Sequence, residues 1–535
     1  MTKTENEFLI SRLADAARTG EISRRSFMNY SVAAGMTASA ATGLWGRSAQ
    51  AAPSRGGTFR LGAHDGNTSD THDPGTYLSF AMIQLAHTFR SYLTLIESDG
   101  SLGPDVATEW SASTDAREWT FKINDRATFH SGAKVTANDV LASMNHHRGD
   151  STSSAAKALL ADVQDLVDNG DNSVTFKLGS PNADLPWLLT DYHLPIIPAN
   201  TDGSANWQTG DGCGPYKLLE AEFGVGFKLT RHEEWHLEGA YFDDVEILVL
   251  NDPNARQTAL VTGDVDGVTQ IDLKTLALIQ RNPDIEIDNV PSASAVTLPM
   301  HCDTAPFDNV DVRNALKLSI DRDEIIEKIA FGAASKGNDF HHSPAMPYWP
   351  DGIPQREYDP DQAKSLLKKA GAEGLTVSIS AAESIFSGAV DMCVLYAEHA
   401  KKAGITINVV REPNDGFYSD VWLVKPWCAV QWGARPTPDV MYSLAYKDDA
   451  AWNESRWQNE RFNVVLREAK AELDDVKRAE MYREMAMIAR DDGGSVIPFF
   501  PNFVYARRKN VKHGENLAAS WHMDGARAAS RWWFE

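Results

Sequence analysis

Short runs rich in β-branched and aromatic residues alternate with amphipathic helical stretches along the whole chain, and this alternation is its strongest constraint. GGTFRLGA (56–63) reads as a strand ending at Gly62, and WTFKI (119–123), SVTFKL (173–178) and VEILVL (245–250) have strand length and composition. Between and after them, VRNALKLSIDRDEIIEKIA (312–330), PDQAKSLLKKAGA (360–372) and NVVLREAKAELDDVKRAEMYREMAMIARDD (463–492) repeat apolar residues at helical spacing. Such interleaving calls for helices packed on sheets, an α/β architecture. At 535 residues the chain exceeds what one hydrophobic core can organise, so several domains are expected. Stretches rich in Pro, Gly and Asn near 198–215 and 283–309 are the linker candidates.

Charge narrows the partners. A formal net charge of −23 argues against non-specific binding to nucleic acid or to an acidic membrane surface. The N-terminus places Arg24 and Arg25 before Ser26-Phe27, follows them with a mildly apolar stretch, and ends at Ala49-Gln50-Ala51. This is the layout of an export signal, and SRRSFM is similar to the twin-arginine type, which passes folded proteins to a dedicated export machinery. Cleavage near Ala51 would release the remainder into the bacterial periplasm. No later stretch has the length of apolar sequence a membrane span needs. The four cysteines, Cys213, Cys302, Cys393 and Cys428, have no paired spacing, which leaves three pairings open and excludes a cysteine-rich zinc site.

One motif has the look of catalysis. His232-Glu233-Glu234-Trp235-His236 matches the HExxH zinc pattern, which works only where a helix brings both imidazoles to one face and the glutamate activates a bound water. Here it follows a strand-like GVGFKLT and meets Gly239 at once, so a strand ending in a polar turn is the expected structure. A secreted zinc metallopeptidase is therefore the alternative and not the preferred function. The pairs His146-His147 and His341-His342 point adjacent side chains in different directions, which suits capping or solvation better than metal binding. No nucleophile elbow, phosphate loop or dinucleotide fingerprint occurs, and no cofactor is expected.

From 102 to 144 the order of residues becomes specific. Trp110, Trp119-Thr120-Phe121, Phe129-His130-Ser131-Gly132 and Thr136-Ala137-Asn138-Asp139-Val140 are followed by GCGPYKL (212–218), RQTALVTGDVDG (256–267), VRNALKLSIDRDEI (312–325) and YDPDQAKSLLKKAG (358–371). This succession resembles the peptide/nickel-type extracellular solute-binding proteins of family five, periplasmic receptors of ATP-driven importers. The resemblance implies a type II-like periplasmic-binding-protein fold of two α/β lobes, with an extra subdomain in the first. The expected division is lobe I from 52–100, 205–290 and 497–535, the subdomain from 101–204, and lobe II from 291–496. It also implies a monomer that closes its hinge on a ligand and hands it to ABC permease subunits. A periplasmic receptor or chaperone on the same fold is a further alternative. Among the motif residues, Trp119, Phe121 and Phe129 are expected to face inward, Gly132 and Gly214 to permit backbone turns, and Arg313 and Asp321 to form an ion pair.

In peptide binders of that family a loop late in the second lobe presents a Trp and an Asp, the Asp holding the ligand's amino group. The matching stretch here is AVQWGARPTPDVMY (429–442), made stiff by Pro436 and Pro438. Ala434 stands where the acidic residue would be, with Arg435 beside it and Trp432 three positions before. A guanidinium suits a carboxylate or phosphate, so the substitution implies a small polar, anionic ligand: a peptide, an opine-like conjugate or a metal chelate. Arg435 could instead pair with Asp439. The same comparison adds Asn67, Thr68, Ser69, Phe417 and Glu383 as cleft candidates, with helix capping as the alternative for Glu383. Which of Trp422, Trp427, Trp452 and Trp457 reach the cleft stays open.

Overall fold

A computed structural model describes residues 53–535 and, within the expected export signal, only Phe27, Tyr30 and Ser31. The paired arginines and the cleavage site lie outside the described residues. One seven-stranded sheet organises the first half of the molecule, in the order Ile285–Val290, Phe503–Arg508, Gly267–Val268, Thr58–Ala63, Asp244–Val249, Gly226–Arg231, Tyr216–Glu222. Thr58–Ala63 runs parallel to Asp244–Val249 and to Gly267–Val268, and the remaining neighbours are antiparallel. TFRLGA alternates as a one-faced strand should: Phe59 and Leu61 are buried, whereas Arg60 is exposed. The Phe59 ring stacks on Phe242 at 4.7 Å, beneath Trp532.

Residues 107–178 form a separate four-stranded antiparallel sheet, in the order Ala107–Ala112, Glu118–Ile123, Ser173–Leu178, Val163–Asp168. Trp119 and Phe121, two apart on one strand, are both buried, and Phe121 meets Phe176 edge-on at 5.4 Å. Phe129 is buried too, from a loop and not a strand. The Thr-Ala-x-Asp-Val motif is a helix start. The Asp139 carboxylate accepts from the Thr136 backbone N–H at 2.8 Å and from its hydroxyl at 2.7 Å, opening the helix Ala137–Asn145.

The second half is built on Val430–Trp432, Ala295–Pro299 and Ser495–Val496, extended through a Ser380–Cys428 bridge to the parallel pair Thr376–Ala381 and Thr406–Arg411. Helices cover it, and its core is a continuous buried cluster that includes Trp427, Tyr442 and Tyr482. Two adjacent stretches, 290–295 and 499–503, carry the chain between the halves. Val290 pairs with Phe503, the Ser292 hydroxyl donates to the Pro501 carbonyl, and Ser343 donates to Ser292. The architecture is thus the expected α/β fold of two lobes, with a separate small sheet beside the first.

Several local expectations need correction. The first strand runs to Ala63. The 312–330 pattern is two helices, Val310–Leu318 and Arg322–Lys328, because the Asp321 carboxylate accepts from Glu324 N–H and caps the second. Asp321 is therefore not the partner of Arg313, which pairs with Asp492 at 3.1 Å. Likewise 463–492 divides into Glu460–Ala471 and Asp475–Asp492, with Asp474 capping the second. His341 and His342 are buried core residues, not solvated ones. All four cysteines are free.

Candidate ligand-binding cleft

The proline-rich loop leaves the strand Val430–Trp432 and enters the helix Pro438–Ala445, with Thr437 as N-cap and Pro438 in the first turn. Trp432 ends the strand with its side chain inward. It is buried and meets Trp422 at 6.2 Å, Trp452 at 6.0 Å and His341 at 5.6 Å. Three residues on, the chain has turned and Arg435 faces a cavity of about 390 Å³ between the lobes. Trp187, Tyr192 and Trp521 of the first lobe and Trp452 of the second supply its aromatic walls. This volume lies at the small end of the range for ligand pockets.

Three ionised side chains line the cavity, and two are already matched. Asp191 hydrogen-bonds His193 Nδ1 at 2.7 Å and accepts from its backbone N–H at 2.9 Å. Arg527 lies 3.6 Å from Asp105 and over the Tyr92 ring. Arg435 has no carboxylate within ion-pair reach among the described residues. Its Nη1 turns back to the carbonyls of Ala434 at 2.9 Å and Gly433 at 3.2 Å. Burial pushes the guanidinium's pKa down, and Asp191 and Tyr192 across the cavity oppose that shift.

A second cavity of about 390 Å³ lies on the opposite side of the connecting strand: Ser292, Ser294 and Val296 face it, whereas Ala293 faces the first. Gln431 and Phe386 line this second space, where the guanidinium of Arg256 is committed to the carbonyls of Leu250, Asn251 and Gln270.

Of the residues singled out in the sequence, Arg435 lines the Trp521-walled cavity directly, with Ala434 and Pro436 of its own loop and Trp452. Trp432 stands behind it, through Trp452. Asp439 is buried in the first turn of its helix, 3.8 Å from Lys470, and forms no ion pair with Arg435. Burial pushes its carboxyl up to about 7. Phe417 is buried against Tyr418, and Glu383 accepts from Gly388 N–H at 2.9 Å, ahead of the helix Ala389–Lys401. Asn67, Thr68 and Ser69 are exposed and line neither cavity. Of the four clustered tryptophans, Trp427 and Trp457 are core, Trp422 is half-buried, and only Trp452 reaches the cavity. Trp187, Asp191, Tyr192, Trp521 and Arg527 were not anticipated. For Trp187, Asp191 and Tyr192 the one signal was the aromatic density of PWLLTDYH (186–193), and Trp521 and Arg527 had none.

The HEEWH segment follows the strand Gly226–Arg231 and is not helical. His232 Nδ1 lies 3.2 Å from the Gly214 carbonyl, His236 Nε2 lies 2.9 Å from Asp105, and Glu233 turns outward to Arg231. The three side chains have three separate partners and do not converge. No group of three or more His, Cys, Asp or Glu side chains suited to a metal occurs among the described residues.

Residues 101–454 match the family described as bacterial extracellular solute-binding proteins, family 5, middle region. A Sinorhizobium fredii protein described as a probable peptide ABC transporter periplasmic-binding protein is 27% identical over 390 residues, covering 67% of this chain and 70% of the relative. Among solved structures, a periplasmic binding protein of Helicobacter pylori in complex with the peptide STSA superposes with a TM-score of 0.69 at 20% identity, covering 90% of this chain and 99% of the other. A binding protein from Agrobacterium tumefaciens R10 in complex with agropinic acid gives 0.68 at 21%, with the same coverage.

Proposed function

Because the chain belongs to the bacterial extracellular solute-binding proteins of family 5, and is thus the periplasmic substrate-binding component of an ABC importer, we propose that it captures a small carboxylate-bearing ligand between its lobes. The observation that carries this reading is Arg435, the charged side chain of the Trp521-walled cavity that has no side-chain partner within ion-pair reach among the described residues. Its fork of donors fits a carboxylate, and the aromatic walls fit the apolar body of the same ligand. A peptide, an opine-like amino-acid conjugate and a metal–polycarboxylate chelate share that chemistry. The peptide and agropinic acid held by the two solved relatives fall in the first two of these classes.

The ligand then passes to the membrane permease on lobe opening. Export of the chain by the twin-arginine route, with cleavage near Ala51, belongs to the same reading, and the N-terminal mass of periplasmic protein tests it.

A hydrogen bond to a charged group contributes about 1.5–3 kcal/mol, or roughly 10- to 150-fold in affinity. Thermal-shift and calorimetric screening of peptides, opines and chelates should find a ligand whose affinity falls by that factor in Arg435→Ala. A ligand held equally well by the variant would refute the clamp.

A further inference from the structure

The two walls of the Arg435 cavity are tied together by a contact that belongs to neither wall. Asp184 precedes the short helix Leu185–Leu188, where a carboxylate would ordinarily cap the helix, yet it makes no cap hydrogen bond. Its carboxylate instead crosses to the second lobe. One oxygen accepts from the Thr437 hydroxyl and the other from Arg478 Nη2. Next to it, the Ala183 N–H donates to the Lys470 carbonyl at 2.9 Å. Asp184, Thr437 and Arg478 are each no more than 3% exposed. Arg478 is held for this contact, with its guanidinium 4.9 Å from the Tyr348 ring centre and Nη1 donating to Tyr348 Oη at 3.0 Å.

The placement matters more than the pair. Asp184 lies three residues before Trp187 and seven before Asp191, on the first-lobe wall of the cavity. Thr437 lies two residues after Arg435, on the second-lobe wall. The Asp184 side is fastened to lobe I, since the Thr94 hydroxyl donates to the Pro186 carbonyl at 2.6 Å and Ile196 N–H donates to Ser91 O at 2.9 Å. The lobes therefore cannot part without breaking the Asp184 contacts and exposing a carboxylate and a guanidinium that the closed form buries. A buried pair gains its worth only while both partners are present.

We propose that Asp184, Thr437 and Arg478 form an inter-lobe latch, with Asp184 as a positioning residue that sets the closure equilibrium and holds Arg435 opposite Asp191 and Tyr192. This rests on the solute-binding reading, but it concerns closure and not the charge of the ligand. Closure is a population between two states, and any contact made only in the closed state shifts it.

The test uses the mature, ligand-free protein. Asp184→Asn should lower the closed-to-open ratio by at least about tenfold, the low end for a charge-assisted hydrogen bond. Small-angle scattering would report this as a larger radius of gyration, and hydrogen exchange as loss of protection at 183–192 and 435–441. The sheet strands Glu118–Ile123 and Ser173–Leu178 should stay protected; a merely structural role would expose them as well. Thr437→Val, which removes one hydrogen bond and no charge, should open the protein in the same direction by less, and serves if Asp184→Asn does not fold. The latch is read in ligand-free protein and the anion reading only from ligand titrations, so failure of the anion reading is distinguishable from failure of the latch. The latch is overturned if wild type and both variants give the same radius of gyration and the same exchange at the interface, or if protection is lost throughout the small sheet.

Discussion

Glu454 lies fully buried under the tryptophans that back the cleft, and its protonation should be visible in the stability of the whole second lobe. Its carboxyl accepts from the Thr297 hydroxyl at 2.8 Å and from Trp422 Nε1 at 2.9 Å. His341 Nε2 stands 3.9 Å away, but burial pushes that imidazole down to about 3, so it offers no charge near neutrality. Burial outweighs the two hydrogen bonds and lifts the Glu454 carboxyl from 4.5 to about 7. An acid with a raised folded-state pKa holds its proton in the native state between those values, while the unfolded chain has lost it. Its contribution is therefore fully present below pH 4.5 and is lost as pH rises through 7; the interval corresponds to about 3 kcal/mol. Glu454→Gln keeps an acceptor for both donors and cannot ionise. Urea denaturation of variant and wild type, run in parallel at pH 5 and pH 8, isolates the effect, because every other titrating group cancels in the difference. The variant should gain on wild type by about 2.5 kcal/mol between the two pH values, since a little of the effect is already spent at pH 5. Equal pH slopes for the two proteins would refute the argument, and would mean that Glu454 is ionised when buried.

Other substitutions test the packing. Gly214→Ala should prevent folding of the first lobe, since its Cβ would lie 2.5 Å from Arg90 N and 2.6 Å from the Phe89 carbonyl carbon; soluble yield and circular dichroism read this. Gly132→Ala, at a φ of +88° with open space around it, should cost only about 1–2 kcal/mol by denaturation. Phe176→Ala removes a fully buried ring stacked edge-on to Phe121 and should cost about 3–5 kcal/mol in the same assay.

The sequence carried the lobes further than it carried the site, for a physical reason. Alternation in TFRLGA, EWTFKI and SVTFKL is a local property that burial enforces strand by strand, and those strands are where the pattern places them. The helical patterns at 312–330 and 463–492 are local too, but apolar spacing continues across a break. What ends one helix and starts the next is a single aspartate, Asp321 or Asp474, offering its carboxylate to backbone N–H groups. The cavity has no local signature: its walls come from 187–192, 435–452 and 521–527, brought together by the return crossing of the chain. Asn67, Thr68 and Ser69 follow a strand, and position does not say which way a loop leans. Phe417 offers a ring, and a ring is as readily core as cleft. Arg435 was legible because the family resemblance sets a cation beside the position where peptide binders carry an acid, an exchange of charge on a loop stiffened by two prolines.

Within the eight residues from Trp432 to Asp439, alternate side chains serve different neighbours. Trp432 and Asp439 anchor the loop in the second lobe, Arg435 faces the cavity, and Thr437 reaches across to Asp184. Pro436 stands between the last two and fixes the backbone φ there. An anion that draws on Arg435 must therefore act on the same segment that Asp184 holds. If the clamp and the latch both hold, ligand capture and lobe closure are two contacts on one proline-stiffened loop, and each would raise the probability of the other by the reciprocity that binding equilibria require.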